Sequence, residues 1–273
     1  MNVQGKTILI TGSTDGLGRL VAKRLAAAGA HVLIHGRSRE RGRSLVEEIR
    51  AAGNGDAEFY QADFASLADV QRLAADVLRG HKRIDVLVNN AGLGSGPDMK
   101  RRAVSADGFE LRFAVNHLAG FLLTYLLLPA ILKSAPARIV NVASLGQQAI
   151  DFDDVMLERA YDGSRAYRQS KLAQILFTID LARELADKGV TVNSLHPATF
   201  MDTNMVRLNG VTPINTVEQG ADAVIKLVTS EDVAGKSGLF FDGLEEARAD
   251  DQAYDAEARK QLRALSVQLT GLV

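Results

Sequence analysis

The chain has 273 residues, enough for one large α/β domain or two small ones. Its 32 Lys and Arg residues balance 33 Asp and Glu residues, so the net charge gives no sign of a nucleic-acid surface. It contains no cysteine, which excludes disulfides, cysteine-ligated zinc and thiolate catalysis.

Short apolar strands alternate with helices along the chain. Runs rich in apolar and β-branched residues predict strands at 6–11, 31–35, 58–61, 85–89, 138–143, 190–195 and 238–241. Helical periodicity predicts helices at 17–28, 44–52, 66–79, 109–133, 165–186 and 217–229. This alternation indicates an α/β fold with a doubly wound parallel sheet of about seven strands and helices on both faces.

A single soluble domain is predicted over residues 1–273. The start of the chain, with Lys6 followed at once by an apolar run and glycines, does not have the pattern of a signal peptide. The longest apolar stretch, 121–132, is shorter than the roughly 20 residues that span a bilayer, and Pro129 interrupts it. A charged helical tail at about 244–273 is predicted, either as a solvated surface helix or as a partner motif.

A glycine loop follows the first predicted strand and opens the first helix, as in a Rossmann-like fold. Gly12 permits a tight turn, Gly16 lets a pyrophosphate approach the backbone, and Gly18 lets the helix pack close to the strand. The helix N-terminus adds unpaired N–H groups and a positive dipole end. This context favours dinucleotide binding over a plain turn. We expect cofactor contacts from Gly12, Ser13, Thr14, Asp15, Gly16, Leu17 and Gly18.

The end of the second strand predicts the type of dinucleotide. NAD-preferring folds of this kind usually carry an acid there, about 20 residues after the glycines, on the ribose 2′-hydroxyl. Here the strand leads into Gly36, which leaves room, and Arg37, which can pair with a 2′-phosphate. NADP(H) is therefore predicted over NAD(H), the alternative being that Arg37 and Arg39 are only solvated loop charges.

Tyr167 and Lys171 lie four residues apart in a predicted helix, so both side chains share one face. A free phenol has a pKa near ~10, and a neighbouring ammonium lowers it by stabilising the phenolate. The pair could act as general acid in a reduction and general base in an oxidation. Ser144 closes the fifth strand, at the end where open parallel sheets bind ligands.

These motifs, in this order, resemble the short-chain dehydrogenase/reductase family over roughly residues 4–240. The matching residues are the loop at 11–18, Asp63, Asp85, the run 89–92, Asn116, Ser144, Tyr167, Lys171, His196 and Pro197. The 22 residues between Ser144 and Tyr167 include an acidic insertion, 151–164, with Tyr161. This insertion is similar to that of retinol-dehydrogenase-like members.

The resemblance implies a role for each matching residue. Tyr167 would be the acid/base, Lys171 would hold the nicotinamide ribose and lower the tyrosine pKa, and Ser144 would bond the substrate oxygen. Asn116 would help to hold a water that relays protons. Further expected cofactor contacts are Asp63, Phe64, Asn90, Ala91, Gly92, Pro197 and Thr199, beside Tyr167 and Lys171 themselves.

Simpler roles stay open for some of these residues. Ser144 could be a strand-end cap, Asn116 a helix-bending polar residue, and Asp63 an acid at the start of the third helix. Thr203 is an alternative to Thr199. Three histidines are expected to be structural or to contact backbone, since none has metal-ligand spacing, and no metal is predicted: His35, His117 and His196.

The segment at about 199–217 is a predicted lid with Gly210 as a possible hinge. Its apolar side chains either face the substrate, which would favour a fairly apolar carbonyl compound, or belong to the core: Met201, Met205, Val206 and Leu208.

The sequence thus predicts an NADP(H)-dependent alcohol dehydrogenase/carbonyl reductase, with NAD(H) possible. A non-catalytic dinucleotide sensor or scaffold and a C=C reductase are the alternatives; the intact set of four candidate catalytic residues favours the enzyme. The resemblance implies a homodimer or homotetramer formed through the helices at 109–133 and 165–186. We expect a cytoplasmic protein without membrane or nucleic-acid partners.

Overall fold

One mixed sheet organises the computed structural model, which describes residues 1–96, 98–208 and 210–272. In this part of the chain its strands are β1 (Thr7–Ile10), β2 (His31–Gly36), β3 (Asp56–Gln61), β4 (Val86–Asn89), β5 (Ala137–Val142), β6 (Val190–His196), β7 (Phe240–Asp242) and β8 (Glu245–Ala247). The spatial order is β3-β2-β1-β4-β5-β6-β7-β8, and every neighbouring pair is parallel except β7–β8. The order reverses between β1 and β4, where such sheets open a crevice.

Helices cover both faces of the sheet, which confirms the predicted doubly wound fold. They are α1 (Gly16–Ala27), α2 (Arg39–Ala52), α3 (Leu67–Gly80), α4 (Ala119–Leu132), α5 (Gly163–Glu184), α6 (Asn204–Leu208), α7 (Val217–Thr229) and α8 (Ala256–Thr270). One apolar core lies under α3, α4 and α5, and the other under α1, α2 and α7. The second helix begins five residues before the predicted start because the Ser38 hydroxyl caps it through Arg41 N.

The helix predicted over 109–133 was wrong in its first part. A π-helical segment, Phe113–Leu118, precedes α4, and Ala119 N donates to Ala114 O five residues back. Before it, Val104 and Glu110 form an antiparallel bridge. The apolar period continues through both parts, so the pattern alone could not show the wider turn.

The C-terminal tail differs from the prediction in two ways. Its first residues form β8 and a 3₁₀ turn, Asp251–Tyr254, rather than a helix. The helix that follows, α8, is not simply solvated, since it packs against α5. A stripe of mostly small residues at four-residue spacing is buried on it: Ala258, Leu262, Ser266 and Thr270. Because three of these four residues are small or polar, the apolar periodicity of the stripe is weak in the sequence.

One helical stretch, Phe113–Leu132, is long and apolar enough to cross a membrane by length and composition alone. However, 67% of its most apolar window is buried inside the protein, as in the core helix of a folded domain. The apolar stretch predicted at 121–132 was too short because it left out the π-helical segment, Phe113–Leu118.

Candidate active site

Four hydrogen bonds fix the glycine loop to the residues that follow β4. Gly12 has a φ of 64°, and a Cβ atom there would lie 2.8 Å from Ala91 Cα. The Thr11 hydroxyl accepts from the backbone N–H groups of Asn90 and Ala91. The Asn90 amide donates in turn to the carbonyls of Thr11 and Gly12. Asn90 and Ala91 therefore brace the turn at the switch point of the sheet.

His35 holds the same turn from the β2 side. Gly12 N donates to its Nδ1 at 3.1 Å, and its Nε2 lies 3.2 Å from Ala62 O, which assigns the proton to Nε2. Burial lowers the pKa of His35 to about 4, so the ring is neutral. The Phe64 ring stacks on it at 4.3 Å between centroids and is itself buried. His35 thus contacts backbone as predicted, and the side chain of Phe64 belongs to the core.

Several side chains of the loop are occupied within the protein. Ser13 Oγ donates to Ile10 O and is fully buried. Asp15 caps α1 through Gly16 N, and its second oxygen accepts from Arg41 and Asn204. Leu17 is buried in the apolar core beneath α1. These loop residues therefore offer chiefly backbone groups to a ligand.

The lid reaches the glycine loop through Thr203. A Cβ atom at Gly16 would lie 3.3 Å from Thr203 Cγ2. Thr199 stays nearer the sheet, with its Oγ1 3.0 Å from His196 Nε2 and its carbonyl accepting from Asn215. Thr203 thus contacts the glycine loop, and Thr199 contacts His196 at the end of β6, so both alternatives stay open. Pro197, between them and β6, is buried.

The end of β2 contacts the glycine loop and carries an exposed cation. A Cβ atom at Gly36 would lie 2.6 Å from the Thr14 side chain, so Thr14 occupies the space that the sequence predicted at Gly36. Arg37 is exposed, and within residues 1–96, 98–208 and 210–272 no carboxylate lies within ion-pair distance of it. Nearby Arg39 bonds Gln61, and Arg41 pairs with Asp15. Of these three arginines, Arg37 is thus the one whose side chain makes no ion pair or hydrogen bond within the described residues.

Ser144, Tyr167 and Lys171 meet beyond the carboxyl end of β5. Lys171 Nζ donates to Val142 O and to Gln174 Oε1, both at 2.9 Å, and lies 5.9 Å from the centre of the Tyr167 ring. A Cβ atom at Gly146 would lie 3.4 Å from Ser144 Oγ and 3.5 Å from Tyr167 Cε1. The ammonium uses two of its three donors and keeps one.

The protein alone does not produce the pKa shift expected for the tyrosine. Burial raises the pKa of Tyr167, and its hydrogen bond with Ser144 offsets only part of this rise. Burial also lowers the pKa of Lys171 to about 7. The lowering of the tyrosine pKa by Lys171 therefore stays a prediction.

Asn116 lies in the π-helical segment and joins the loop after β4 to α5. Its Oδ1 accepts from Leu93 N at 2.7 Å, and its Nδ2 donates to Leu93 O and to Ser170 Oγ. The Ser170 hydroxyl donates to Tyr167 O at 2.7 Å. A Cβ atom at Gly92 would lie 3.2 Å from Asn116 Oδ1 and 3.5 Å from Lys171 Nζ. Asn116 thus links the loop after β4 to α5, beyond any effect on the shape of its own helix.

The family model of the short chain dehydrogenases matches residues 6–211. This chain belongs to the short chain dehydrogenase family. Human retinol dehydrogenases 13 and 14 are each 37% identical to it, over 99% of the chain and 86% and 88% of their own lengths. The predicted similarity to retinol-dehydrogenase-like members is confirmed, and with it the assignment to an oxidoreductase family.

Solved structures agree with the fold of this short chain dehydrogenase. A putative uncharacterized protein from Mycobacterium paratuberculosis is 29% identical, with a TM-score of 0.81, covering 99% of this chain and 95% of that one. The active-site complex of Pseudomonas aeruginosa RhlG with NADP is 29% identical, with a TM-score of 0.72, covering 88% and 95%.

A buried charge network, missed by the sequence analysis, supports the catalytic side of this short chain dehydrogenase. Tyr161 OH donates to Glu110 Oε1 at 3.2 Å, and Arg112 Nη1 lies 3.3 Å from the same oxygen. Arg112 also donates to Tyr161 OH and to the carbonyls of Gly94 and Ser95. The insertion at 151–164 is thereby tied to the loop after β4. No local pattern links residues 50 positions apart.

Two other matched acids hold backbone. Asp63 Oδ1 accepts from Ala65 N, in the connection between β3 and α3. Asp85 lies at the opposite end of the sheet, where it accepts from Lys6 Nζ and Thr7 N. Asp85 thus fixes local structure and lies at the end of the strands away from Tyr167.

The predicted lid splits into a core part and a surface part. Met201 packs against the core beneath α1 and α7, with its sulfur against Gly220. Leu208 and Ile214 are 73% and 68% exposed. Of the predicted apolar lid residues, Met201 therefore belongs to the core, whereas Met205, at 41% exposed, and Leu208 lie at the surface.

Proposed function

We propose that this short chain dehydrogenase transfers hydride between NADP(H) and a carbonyl/alcohol pair, with Tyr167 as the acid/base. The observation that carries the proposal is the convergence of Ser144, Tyr167 and Lys171, with Lys171 Nζ next to Gly92. Gly92 belongs to the loop that follows β4, and the glycine loop is bound to that same loop. A sensor or scaffold has no need for a buried lysine beside a buried tyrosine.

The residues present fit an NADP(H) molecule. The glycine loop presents backbone at the switch point, Gly36 lies directly against Thr14 of that loop, and the exposed Arg37 is available for a 2′-phosphate. The remaining Lys171 donor suits a ribose hydroxyl. The RhlG neighbour binds NADP, and a ketoacyl reductase neighbour from Brucella melitensis is complexed with NADH, so NAD(H) stays possible. When bound, the reduced dinucleotide supplies hydride.

The chain's own residues would handle the proton. The Ser144 hydroxyl would hydrogen-bond the substrate oxygen and stabilise the negative charge that develops on it. Tyr167 would donate its phenolic proton to that oxygen in reduction and take it back in oxidation. Since burial raises the pKa of Tyr167, the free protein favours the protonated, reduction-ready form. The positive charge of an oxidised nicotinamide would lower the pKa for oxidation.

The substrate class we propose is a medium-sized, fairly apolar carbonyl or alcohol. The exposed lid residues Leu208 and Ile214 would supply apolar contacts once the lid lies over a substrate. The curated relatives are named retinol dehydrogenases, which supports an apolar substrate without fixing its identity.

The test is loss of NADPH absorbance with a panel of carbonyl compounds, aliphatic and aromatic aldehydes, ketones and retinaldehyde. We expect turnover with apolar members, a lower rate with NADH, and an alcohol as the product. Product analysis separates this from reduction of a C=C bond. Binding of NADPH without turnover across the panel would instead support a sensor.

We further propose a homodimer or homotetramer that acts in the cytoplasm. The face of α5 that α8 covers in the same chain is not available for self-association, so the remaining faces of α4 and α5 would form the contact. Analytical ultracentrifugation would show a dimer or tetramer mass; a monomer at micromolar concentration would contradict the proposal.

A further inference from the structure

Three potential metal ligands meet at the end of the sheet away from the crevice. His31 begins β2, Glu58 lies in the neighbouring edge strand β3, and His81 directly follows α3. His31 on β2 pairs with Asp56 on β3, and Glu58 is two residues after Asp56. The side chains of His31 and Glu58 therefore lie on the same face of the sheet. His35, which holds the glycine loop, lies four residues further along β2.

The donor atoms are close enough to share one ion. His31 Nε2 lies 3.2 Å from Glu58 Oε1, and His81 Nε2 lies 3.4 Å from Glu58 Oε2. One donor atom from each residue falls within 4.8 Å of the other two. Ligands of a tetrahedral zinc ion, with bonds of ~2.0–2.1 Å, are separated by roughly 3.4 Å. Small side-chain rotations would therefore bring the three donors to an ion.

Neighbouring groups would support such an ion. Tyr60 OH donates to Glu58 Oε2 at 2.9 Å and orients the carboxylate. Asp56 Oδ2 lies 3.6 Å from His31 Nδ1, the position in which a carboxylate typically supports a metal-bound histidine. An open groove along β3, lined in part by Glu58 and Tyr60, gives a path from solvent.

The alternative is an ordinary surface ion cluster, in which the histidines pair with Glu58 as ions only when they are protonated. Arg50 and Arg79, which line the groove, are engaged by Asp56 and Asp76. Two imidazole nitrogens and one carboxylate oxygen are a donor set that zinc prefers.

We infer that His31, Glu58 and His81 bind a Zn²⁺ ion, with water as the fourth ligand. The ion clamps β2, edge strand β3 and the end of α3 together. It lies away from Tyr167 and takes no part in hydride transfer. Sequence spacing could not show this site, because its ligands come from three separate elements.

The test uses the full-length, tag-free protein after dialysis against a chelator. Titration with Zn²⁺ by calorimetry should give one site per chain, and Co²⁺ should give the visible absorption bands of tetrahedral coordination. Mg²⁺, which prefers oxygen ligands, should not compete. His81→Ala and Glu58→Gln should each weaken Zn²⁺ binding tenfold or more.

The matched control is Glu48→Gln, which removes an exposed carboxylate on α2 that pairs with Arg19 and Lys23. This variant should bind Zn²⁺ like the wild type. Glu58→Gln keeps the size of the side chain, so it remains informative if His81→Ala fails to fold. Absence of a stoichiometric site in the wild type, or unchanged affinity in both ligand variants, overturns the inference.

Discussion

The two sides of the crevice are built in different ways. The glycine-loop side is held by neighbours in one βαβ unit and the adjoining strand, such as Gly12 with His35 and Thr11 with Asn90. The catalytic side depends on buried polar contacts between distant segments, such as Asn116 with Ser170 and Glu110 with Tyr161. A motif in the sequence, the glycine loop, marks the first side, whereas no motif marks the Glu110–Tyr161 pair of the second.

The largest effect on activity in this comparison should come from Lys171→Met. The variant removes the buried ammonium but keeps an apolar stem of similar length. We expect kcat/KM to fall about 10²- to 10⁴-fold, the usual contribution of acid–base machinery. The Val142 carbonyl and the Gln174 amide oxygen each lose a partner, at about 1–3 kcal/mol apiece in the free energy of unfolding. Steady-state kinetics measures kcat/KM, and denaturant unfolding measures the free energy of unfolding. A kcat/KM within threefold of the wild type would exclude a role of Lys171 in the acid–base machinery.

The next effect concerns stability on the catalytic side. Glu110→Ala leaves the buried Arg112 guanidinium without its carboxylate, and we expect a loss of about 3–5 kcal/mol in the free energy of unfolding. Tyr161→Phe is the matched control, because it removes only one hydroxyl and should cost about 1 kcal/mol. Urea unfolding compares them. Equal losses would mean that the charge network does not support this side.

The glycine-loop side should show its own pH dependence. His35 has a folded pKa of about 4 against an unfolded value near ~6.5, so the unfolded chain binds its proton first as pH falls. Its contribution is complete above pH ~6.5 and is lost between pH ~6.5 and about 4, up to about 3 kcal/mol. Unfolding free energies measured across this range should fall less steeply in His35→Asn. An identical slope in the two proteins would contradict the neutral histidine.

The smallest effect should be confined to one cofactor. Arg37→Gln removes the charge proposed for the 2′-phosphate, and we expect the KM for NADPH to rise roughly 10- to 100-fold with that for NADH unchanged. Arg39→Gln is the control, since Arg39 is already bonded to Gln61. If both variants, or neither, lose NADPH affinity, another group recognises the phosphate.

Prediction from the sequence succeeded where the pattern is local. Alternating strands and helices gave the sheet, and the glycine loop and Ser144 lie at its carboxyl edge as predicted. It failed for the π-helical segment, because its apolar period matches that of an α-helix. It also missed the burial that raises the pKa of Tyr167 and lowers that of Lys171, since the four-residue spacing places both side chains on one face without showing how deeply they are buried.

The central claim is that Tyr167 supplies and removes the substrate proton, and Tyr167→Phe tests it most directly. The variant keeps the ring, so NADPH should bind with a dissociation constant within about threefold of wild type. The rate of NADPH oxidation in a single turnover with an active carbonyl substrate should fall about 10²- to 10⁴-fold. A Tyr167→Phe enzyme that reduces the same substrate at the wild-type rate would contradict the account.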